Sequence, residues 1–281
     1  MVDLGYVNRV TDQLKLRTPE VPYQLFCDVE PDPSIQTVLK GVQLMRSFEP
    51  DTIIALGGGS AMDAAKGMWL FYEHPEVNFN DLKQKFMDIR KRAFKYPELG
   101  KKAKLVCIPT TSGTGSETTL AAVISNPETK EKFPIEDPHI TPKYTILNPK
   151  LLVKLPPHIT STTGMDALTH AVEAYIGKAN TKKTKQKALN AVKLTFKNLQ
   201  NSYEQPNNLI YRENMQVAAF DAGVAFTRAY VGYVHAIAHS LGGKYNTPHG
   251  LANAILLPTL IGITSYFHYI TKKLLCKKKI T

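Results

Sequence analysis

The chain has 281 residues, of which 43% are hydrophobic and 21% charged, and its formal net charge is +11. This composition is typical of a folded protein with one large or two ordinary domains, and it excludes a disordered chain or a miniature scaffold. The three cysteines, Cys27, Cys107 and Cys276, form no CxxC pair, which excludes a disulfide framework or thiolate cage and favours a reducing, cytoplasmic setting.

The positive charge is concentrated at 83–104, at 178–197 and in the lysine-rich tail. Solvated helix faces are the ordinary explanation, because no aromatic side chains alternate with the lysines of 178–191 as they would in a single-strand binder. A nucleic-acid partner therefore stays a minor hypothesis.

No membrane partner is expected from the sequence. Met1 is not followed by the basic and apolar regions of a signal peptide. The most apolar stretch, 251–263, is interrupted by Asn253 and Pro258 and is shorter than the roughly 20 residues of a spanning helix.

In the first half of the chain, short apolar runs alternate with helical patterns, as in a parallel sheet with crossover helices. The strand candidates are Tyr23–Val29, Thr52–Leu56 and Leu105–Pro109, and the last two are continuous apolar runs typical of buried parallel strands. Between the first two, Ser34–Phe48 has apolar residues at helical spacing. This order predicts one βαβ unit.

After Pro156 and Pro157 the extended apolar runs disappear, and residues 160–178, 182–203 and 208–243 all show helical patterns. We therefore predict a boundary near residue 150, between an α/β domain over 1–150 and a helical domain over 151–281.

Two glycine-containing turns follow predicted strands. The first, in TIIALGGGSAMDAAK (52–66), combines glycines that admit close backbone approach with a helix start whose free N–H groups favour phosphate. It is not the GxGxxG fingerprint, and a structural turn would also explain it. The second, PTTSGTGSE (109–117), is equally compatible with a loop that binds nothing. Together they favour a phosphate or ribose site, because ligands of open α/β sheets bind where strands end.

Histidines cluster with an aspartate in the second half. Asp166 and His170 are four residues apart, as are His235 and His239, so each pair projects from one helix face, and His249 follows after a glycine-containing connection. Imidazole and carboxylate ligands suit a divalent transition metal, whereas a lone histidine on an apolar helix is more often a core residue. The clustering favours the metal site.

Together these elements closely resemble the iron-containing alcohol dehydrogenase family. The resemblance is carried by GGGSAMDAAK (57–66), PTTSGTGSE (109–117), GMDALTHAVEAY (164–175) and HAIAHSLGGKYNTPHGLANA (235–254). It implies a Rossmann-like α/β nucleotide-binding domain followed by an all-α metal-binding domain, the dehydroquinate synthase-like fold. Segments 49–69 and 86–104 are most similar to the alcohol dehydrogenase half of bifunctional aldehyde-alcohol dehydrogenases.

The resemblance implies hydride transfer between a primary alcohol and NAD, a small alcohol or aldehyde as substrate, and a homo-oligomer. It makes Asp166, His170, His235 and His249 the ligands of Fe(II), or of Zn(II) in some relatives. His239 is not a ligand in the family and lies near the nicotinamide, where it could shuttle a proton or orient substrate. The cofactor-binding positions it implies are Asp32, Gly57, Gly58, Gly59, Ser60, Asp63, Thr110, Thr111, Thr114, Val123, Lys132 and Leu151.

Both ends depart from the family pattern. Relatives have one more strand before the position of Met1 and several more helices beyond Pro258. The lysine-rich tail fits a divergent surface helix or a frameshifted ending equally well. Because the missing strand normally disfavours a 2′-phosphate, the preference for NAD over NADP rests on the family alone. The alternative to an active enzyme is a catalytically inactive, truncated fragment of one.

Overall fold

The computed structural model describes residues 1–82, 96–129, 131–245 and 247–277. An α/β half precedes an all-helical half, which confirms the predicted fold class. Of the predicted basic stretches, residues 83–95 and 278–279 lie outside the described part of the chain. The helices and strands are α1 (Tyr6–Lys15), α2 (Ile35–Phe48), β1 (Thr52–Gly57), α3 (Gly59–Glu73), α4 (Phe79–Leu82), β2 (Lys104–Pro109), β3 (Ala121–Asn126), β4 (Glu131–Glu136), β5 (Tyr144–Thr145), α5 (Pro157–Ile176), α6 (Lys182–Glu204), α7 (Leu209–Ala229), α8 (Tyr233–Tyr245) and α9 (His249–Lys277).

The parallel sheet has the order β1-β2-β5 among the described residues. β1 and β2 pair in register from Thr52 opposite Lys104 to Gly57 opposite Pro109, so both strands end at the same edge. The two predicted strands Thr52–Leu56 and Leu105–Pro109 are confirmed by these elements. Their ends deliver the two glycine-containing turns to one side of the sheet.

The predicted strand Tyr23–Val29 is wrong. Within the described chain this segment has no strand partner, so the predicted βαβ unit does not form. Phe26 and Val29 pack against the apolar core instead, which accounts for their apolar character without a strand. The helix predicted over Ser34–Phe48 is confirmed as α2, and Ser34 caps it by accepting the N–H of Thr37.

An antiparallel hairpin of β3 and β4, which the sequence did not predict, lies beside α3. Pro134 within β4 weakens the local strand pattern, because proline cannot donate a ladder hydrogen bond.

α3 is the central helix of the α/β half. It begins at Gly59, directly after β1, and most of its residues are buried. Trp69 is fully buried, and its indole N–H lies 3.0 Å from the carbonyl of Ala103 and 2.9 Å from Glu73 Oε1. This packing holds the C-terminal half of α3 beside the start of β2, while the N-terminus of α3 directly follows the end of β1.

The helical half is built on close packing of α5, α6 and α7. Ala171, Ala191 and Ala222 are fully buried where these helices meet, and small side chains at such contacts let helix axes approach closely. The predicted helices 160–178 and 182–203 are confirmed as α5 and α6. α5 therefore lies inside the bundle and directs polar side chains into its interior.

The single helix predicted over 208–243 is wrong, because α7 and α8 are separate. The chain leaves α7 at Tyr230, which has φ of 64°, and turns through Gly232 into α8. The carboxylate of Glu173, on α5, accepts the N–H groups of Gly232 and Val234 at 2.9 and 2.8 Å. A partner so distant in sequence leaves no local pattern that would predict the break.

α7 also packs directly on the second glycine-containing turn. Gly115 has φ of 63°, and a Cβ added to it would lie 2.8 Å from the Cα of Gly223 on α7. The amide of Gln216 on α7 donates to the carbonyl of Pro109 at 3.2 Å. The end of β2 and the helical bundle are therefore in backbone contact.

α9 continues through the lysine-rich tail to Lys277, with Pro258 inside it, and the side chains of 264–277 lie outside the described part. None of the described helices combines the length and apolar character needed to cross a membrane.

Candidate metal and nucleotide site

A cavity of about 1620 Å³ lies between the α/β half and the helical half. The first glycine-containing turn lines one part of it, and the predicted histidine cluster lines another. The glycine-containing turn predicted to bind phosphate and the histidine cluster predicted to bind a metal therefore line the same cavity.

The two glycine-containing turns face each other in this cavity. A Cβ added to Gly59 would lie 2.8 Å from Thr114 Cγ2, and one on Gly58 would lie 3.3 Å from Thr111 Cγ2. The absence of side chains at these glycines lets the two turns approach closely, and Gly57, Gly58 and Gly59 line the cavity at the N-terminus of α3, where N–H groups and the helix dipole favour an anion.

Asp32, Ser60 and Lys132 meet at the edge of the same cavity. The N–H of Asp32 donates to Ser60 Oγ at 3.2 Å, and Lys132 Nζ is 2.6 Å from Asp32 Oδ2. Asp32 has φ of 56°, a conformation that turns the chain toward α3. The structure thus brings together three residues spread over a hundred positions.

Asp63 ties α3 to the second turn. Its carboxylate accepts Ser116 Oγ–H at 2.6 Å and the N–H of Val123 at 2.9 Å. Burial raises its pKa, against the opposing effects of Lys66 and these hydrogen bonds. Asp63 and Val123 both line the cavity.

Thr110 and Leu151 are the two predicted cofactor positions that do not line the cavity. Both are buried. The N–H of Thr110 donates to the carbonyl of Gly57 at 2.9 Å, which joins the ends of β2 and β1.

The four predicted metal ligands come together in the helical half. Ligand atoms of Asp166, His170 and His235 lie within 4.8 Å of one another, and all three residues are buried. His249, at the first turn of α9, places Nε2 3.4 Å from Asp166 Oδ1, and His235 Nε2 is 3.5 Å from the same oxygen. Residues from α5, α8 and the start of α9 thus converge on one carboxylate.

The charges within this cluster are set by burial and by mutual contacts. Burial opposes ionisation of Asp166, but neighbouring His170 and His249 and hydrogen bonds from His235 and His249 hold its pKa well below its usual value. Burial lowers the pKa of His170 to about 3, so its ring is neutral. Burial opposes the charge on His235 as well, yet Asp166 and Glu173 raise its pKa to about 9.

His239 lies beside the cluster and lines the cavity. Its ring centroid is 4.7 Å from that of His249 and 6.3 Å from that of His235. Desolvation and then the neighbouring His249 and His235 lower its pKa to about 4. The ring is therefore neutral near pH 7.

Two residues of the site, Glu173 and Asn253, were not identified from the sequence, although both lie in segments that carry the family resemblance. Glu173 accepts a hydrogen bond from His235 Nδ1 at 2.6 Å. Asn253 Nδ2 donates to Asp166 Oδ1 at 2.7 Å and lies 3.3 and 3.2 Å from the Nε2 atoms of His235 and His249. Helical spacing was the available signal, since Glu173 is three residues after His170 and Asn253 is four after His249.

The residues present fit a divalent metal ion. Asp166 Oδ1 and the Nε2 atoms of His235 and His249 all converge on the single amide nitrogen of Asn253, whose two hydrogens cannot serve all three atoms. Within the described residues, the buried Nδ1 of His170 has no hydrogen-bond partner. Buried polar atoms without partners are costly, and a set of one carboxylate with several imidazoles suits Fe(II) or Zn(II).

Comparison with known proteins agrees with this geometry. The family model "Iron-containing alcohol dehydrogenase" matches residues 1–149, and "Fe-containing alcohol dehydrogenase family, C-terminal" matches residues 160–278. Over 261 residues the chain is 54% identical to the aldehyde-alcohol dehydrogenase of Streptococcus pneumoniae serotype 4, covering 93% of this chain and 29% of that protein.

Two further relatives carry cofactors in their names. The NADPH-dependent butanol dehydrogenase of Clostridium saccharobutylicum is 45% identical over 265 residues, 94% of this chain and 65% of that protein. The structure of the sulfoacetaldehyde reductase of Bifidobacterium kashiwanohense in complex with NAD+ has a TM-score of 0.82 and 30% identity, covering 93% of this chain and 66% of that one.

The chain thus spans 29% of the length of the Streptococcus relative and matches its alcohol dehydrogenase portion. Both family models, the shared fold and the converging aspartate and histidines agree, and the chain belongs to the iron-containing alcohol dehydrogenase family.

Proposed function

We propose that this chain is a metal-dependent alcohol dehydrogenase, acting in reverse as an aldehyde reductase, that transfers a hydride between a small primary alcohol and NAD. The observation that carries the proposal is the shared cavity, which is lined both by the start of α3 and by the aspartate and histidine cluster. Hydride transfer requires a nicotinamide and an alcohol carbon to be held at close range, and one cavity holding both sites suits that requirement.

Each group of the site has a proposed role. Asp166, His170, His235 and His249 would hold a divalent iron or zinc ion, and Gly57, Gly58, Gly59 and Ser60 would bind the pyrophosphate through free N–H groups at the start of α3. When bound, the ion supplies Lewis acidity toward an alcohol or aldehyde oxygen and the nicotinamide supplies the hydride chemistry.

His239 is proposed to accept or deliver the proton that accompanies the reaction. Its ring is neutral near pH 7 and lies in the cavity wall next to His249. A neutral imidazole has one nitrogen that accepts a hydrogen bond and one that donates, so it can orient a hydroxyl or relay its proton from one nitrogen to the other. Asp32 and Lys132, paired at 2.6 Å beside Ser60, are placed to line the adenosine side of the cofactor.

NAD is the proposed cofactor because a structural neighbour binds NAD+. NADPH is the alternative, since the butanol dehydrogenase relative is NADPH-dependent. Comparing NADH with NADPH in the same assay decides between them.

The test is aldehyde reduction by the purified chain loaded with Fe(II) or Zn(II), followed through NADH oxidation with short primary aldehydes. We expect turnover with close to one metal ion per chain. His235→Ala should abolish metal retention and turnover together. A folded chain that binds neither metal nor nucleotide would instead support the catalytically inactive fragment.

The proposal extends to the domain boundary, the oligomeric state and the cellular setting of the protein. We infer a boundary near residue 150, supported by the change from sheet to helices between β5 and α5. Exposed large apolar side chains, including Phe196, Ile210 and Tyr233, support a homo-oligomer, which sedimentation would test. The free thiols of Cys27 and Cys107 support a cytoplasmic setting.

A further inference from the structure

Glu173 is a buried carboxylate whose hydrogen bonds all converge on the chain around His235. It lies on α5 and is 5% exposed. Its two oxygens accept the N–H of Gly232 at 2.9 Å, the N–H of Val234 at 2.8 Å and Nδ1 of His235 at 2.6 Å. Glu173 thus contacts Gly232, Val234 and His235 at the start of α8.

The backbone at this place is shaped around the carboxylate. A Cβ added to Gly232 would lie 2.7 Å from Glu173 Oε1, so no larger residue fits without moving the carboxylate. Tyr230, two residues earlier, has φ of 64°, which is unfavourable for a residue with a large side chain. The hydrogen bonds to Glu173 compensate for a chain path that the local sequence does not favour.

The contact with Nδ1 fixes how the imidazole of His235 is used. A carboxylate accepts from Nδ1, so that nitrogen keeps its proton, and Nε2 on the other side is the nitrogen that would give up its proton to bind an ion. Nε2 faces Asp166 Oδ1 at 3.5 Å and Asn253 Nδ2 at 3.3 Å, inside the proposed metal cluster. The ring of His235 also lies over that of His170, with centroids 4.3 Å apart.

We propose that Glu173 is a positioning residue for the metal: it holds His235 in the tautomer and orientation in which Nε2 binds the ion. The inference rests on the proposed function, because it assigns His235 as a ligand. Carboxylates that accept the second ring N–H of a histidine ligand raise its basicity and fix its orientation, and their loss typically costs 10–100-fold in metal affinity.

The test compares Glu173→Gln with the wild-type chain by titration with Co²⁺, read by calorimetry and by the visible absorption of the bound ion. The glutamine amide cannot accept all three donors, and its NH2 group faces a donor. We expect a Kd for Co²⁺ raised about 10–100-fold and an altered absorption spectrum. In the zinc-loaded chain labelled with ¹⁵N-histidine, we expect the low-field Nδ1 proton of His235 to be lost or shifted.

Glu73→Gln is the matched control. Glu73 is likewise a buried carboxylate, and it accepts the N–H groups of Gly100, Lys101 and Ala103 in the α/β half. This variant should lose stability yet keep the Co²⁺ affinity and the His235 proton signal of the wild type. Glu173→Asp keeps the charge on a shorter arm, and an intermediate affinity is expected should the glutamine variant not fold.

The outcomes separate the two proposals. No Co²⁺ binding by the folded wild-type chain would overturn the metal site itself. Tight binding by the wild type with unchanged affinity and spectrum in a folded Glu173→Gln, or in Glu173→Asp, would leave the metal site intact and overturn the positioning role. Glu173 would then serve only to hold the start of α8.

Discussion

Two buried aspartates on helices make a useful comparison, one in each half of the molecule. Asp63 belongs to a network in which each buried side-chain polar atom has a hydrogen-bond partner: Ser116 and Val123 donate to its carboxylate, and Lys66 Nζ lies within 3.0 Å of Ser116 Oγ and of oxygens on Thr119 and Ala121. Asp166 faces three imidazoles and Asn253, and within the described residues His170 Nδ1 and Asn253 Oδ1 have no partner.

The difference separates a structural network from a binding site. A buried polar network that is fully satisfied within the chain stabilises the fold and has no need of a ligand. A buried cluster in which polar atoms lack hydrogen-bond partners lowers stability, and such a cluster is expected where a ligand supplies what is missing. Substitutions in the Asp63 network should therefore mainly lower stability, whereas substitutions in the Asp166 cluster should mainly lower metal binding and activity.

Asp166→Asn should have the largest effect, and on function. Removing the central carboxylate of the cluster should reduce metal retention and turnover by at least about 100-fold, since even supporting residues of a metal site contribute 10–100-fold. The measurement is metal content together with NADH oxidation. Asp221→Asn is the control, because Asp221 is also buried but pairs with Lys187 at 2.7 Å outside the site. Loss of metal in both variants would contradict the prediction.

Lys66→Met should be the largest loss of stability. Lys66 is fully buried, and its removal leaves the acceptors on Ser116, Thr119 and Ala121 unsatisfied and Asp63 without the nearby cation. Breaking such a buried network by removing one partner costs about 3–5 kcal/mol in the free energy of unfolding. Urea unfolding measures it. The exposed Lys40, replaced in the same way, should change stability by less than about 0.5 kcal/mol.

Glu117, next to Ser116 and 3% exposed, predicts a dependence of stability on pH. Burial raises its pKa to about 7, against the opposing effects of its backbone hydrogen bond and Lys66. The folded chain therefore binds more protons than the unfolded chain between pH 4.5 and 7, so this contribution is present below pH 4.5 and is lost as pH rises to about 7.

The expected loss at Glu117 over that pH range is about 3 kcal/mol. Glu117→Gln should remove it and make the variant more stable than the wild type above pH 7. The midpoint of urea unfolding at a series of pH values gives the comparison. The exposed Glu98, changed to Gln, should leave the profile as it is. An unaltered slope in Glu117→Gln would contradict the assignment.

His170→Phe should produce the smallest change in stability, and that change should be an increase. The ring of His170 stacks at 4.2 Å from Phe226 and 4.3 Å from His235, and a phenyl group would occupy the same space without an unpartnered nitrogen. We expect the metal-free variant to be more stable by about 1 kcal/mol while metal affinity is lost. Thermal unfolding without metal and Co²⁺ titration measure the two effects. Lower stability would mean that Nδ1 has a partner in solution.

Local sequence patterns predicted the parts of this molecule that depend on near neighbours. The apolar runs of β1 and β2, the helix over Ser34–Phe48, and the pairing of Asp166 with His170 by helical spacing all appear in the structure. Each depends on residues within a few positions of one another.

The errors and omissions depend on contacts between residues far apart in the sequence. The break between α7 and α8 is held by Glu173, about 60 positions earlier, and the apolar segment 23–29 packs on a core without a strand to join. The spacing of Asn253 four residues after His249 places it on the same helix face, but its contact with Asp166 depends on the packing of α9 against α5.

The contact between Gly115 and Gly223 has a consequence for the separation of the two sites. The turn that contains Gly115 also carries Ser116, which is bonded to Asp63 at the start of α3, while Gly223 belongs to the helix whose Phe226 stacks on His170. Because the backbones of Gly115 and Gly223 are in contact, the second glycine-containing turn and α7 cannot approach each other more closely. A methyl group at either glycine would act as a wedge that moves the turn away from α7 and, under the proposed function, would lengthen the distance the hydride must cover without replacing any residue proposed to bind metal or cofactor.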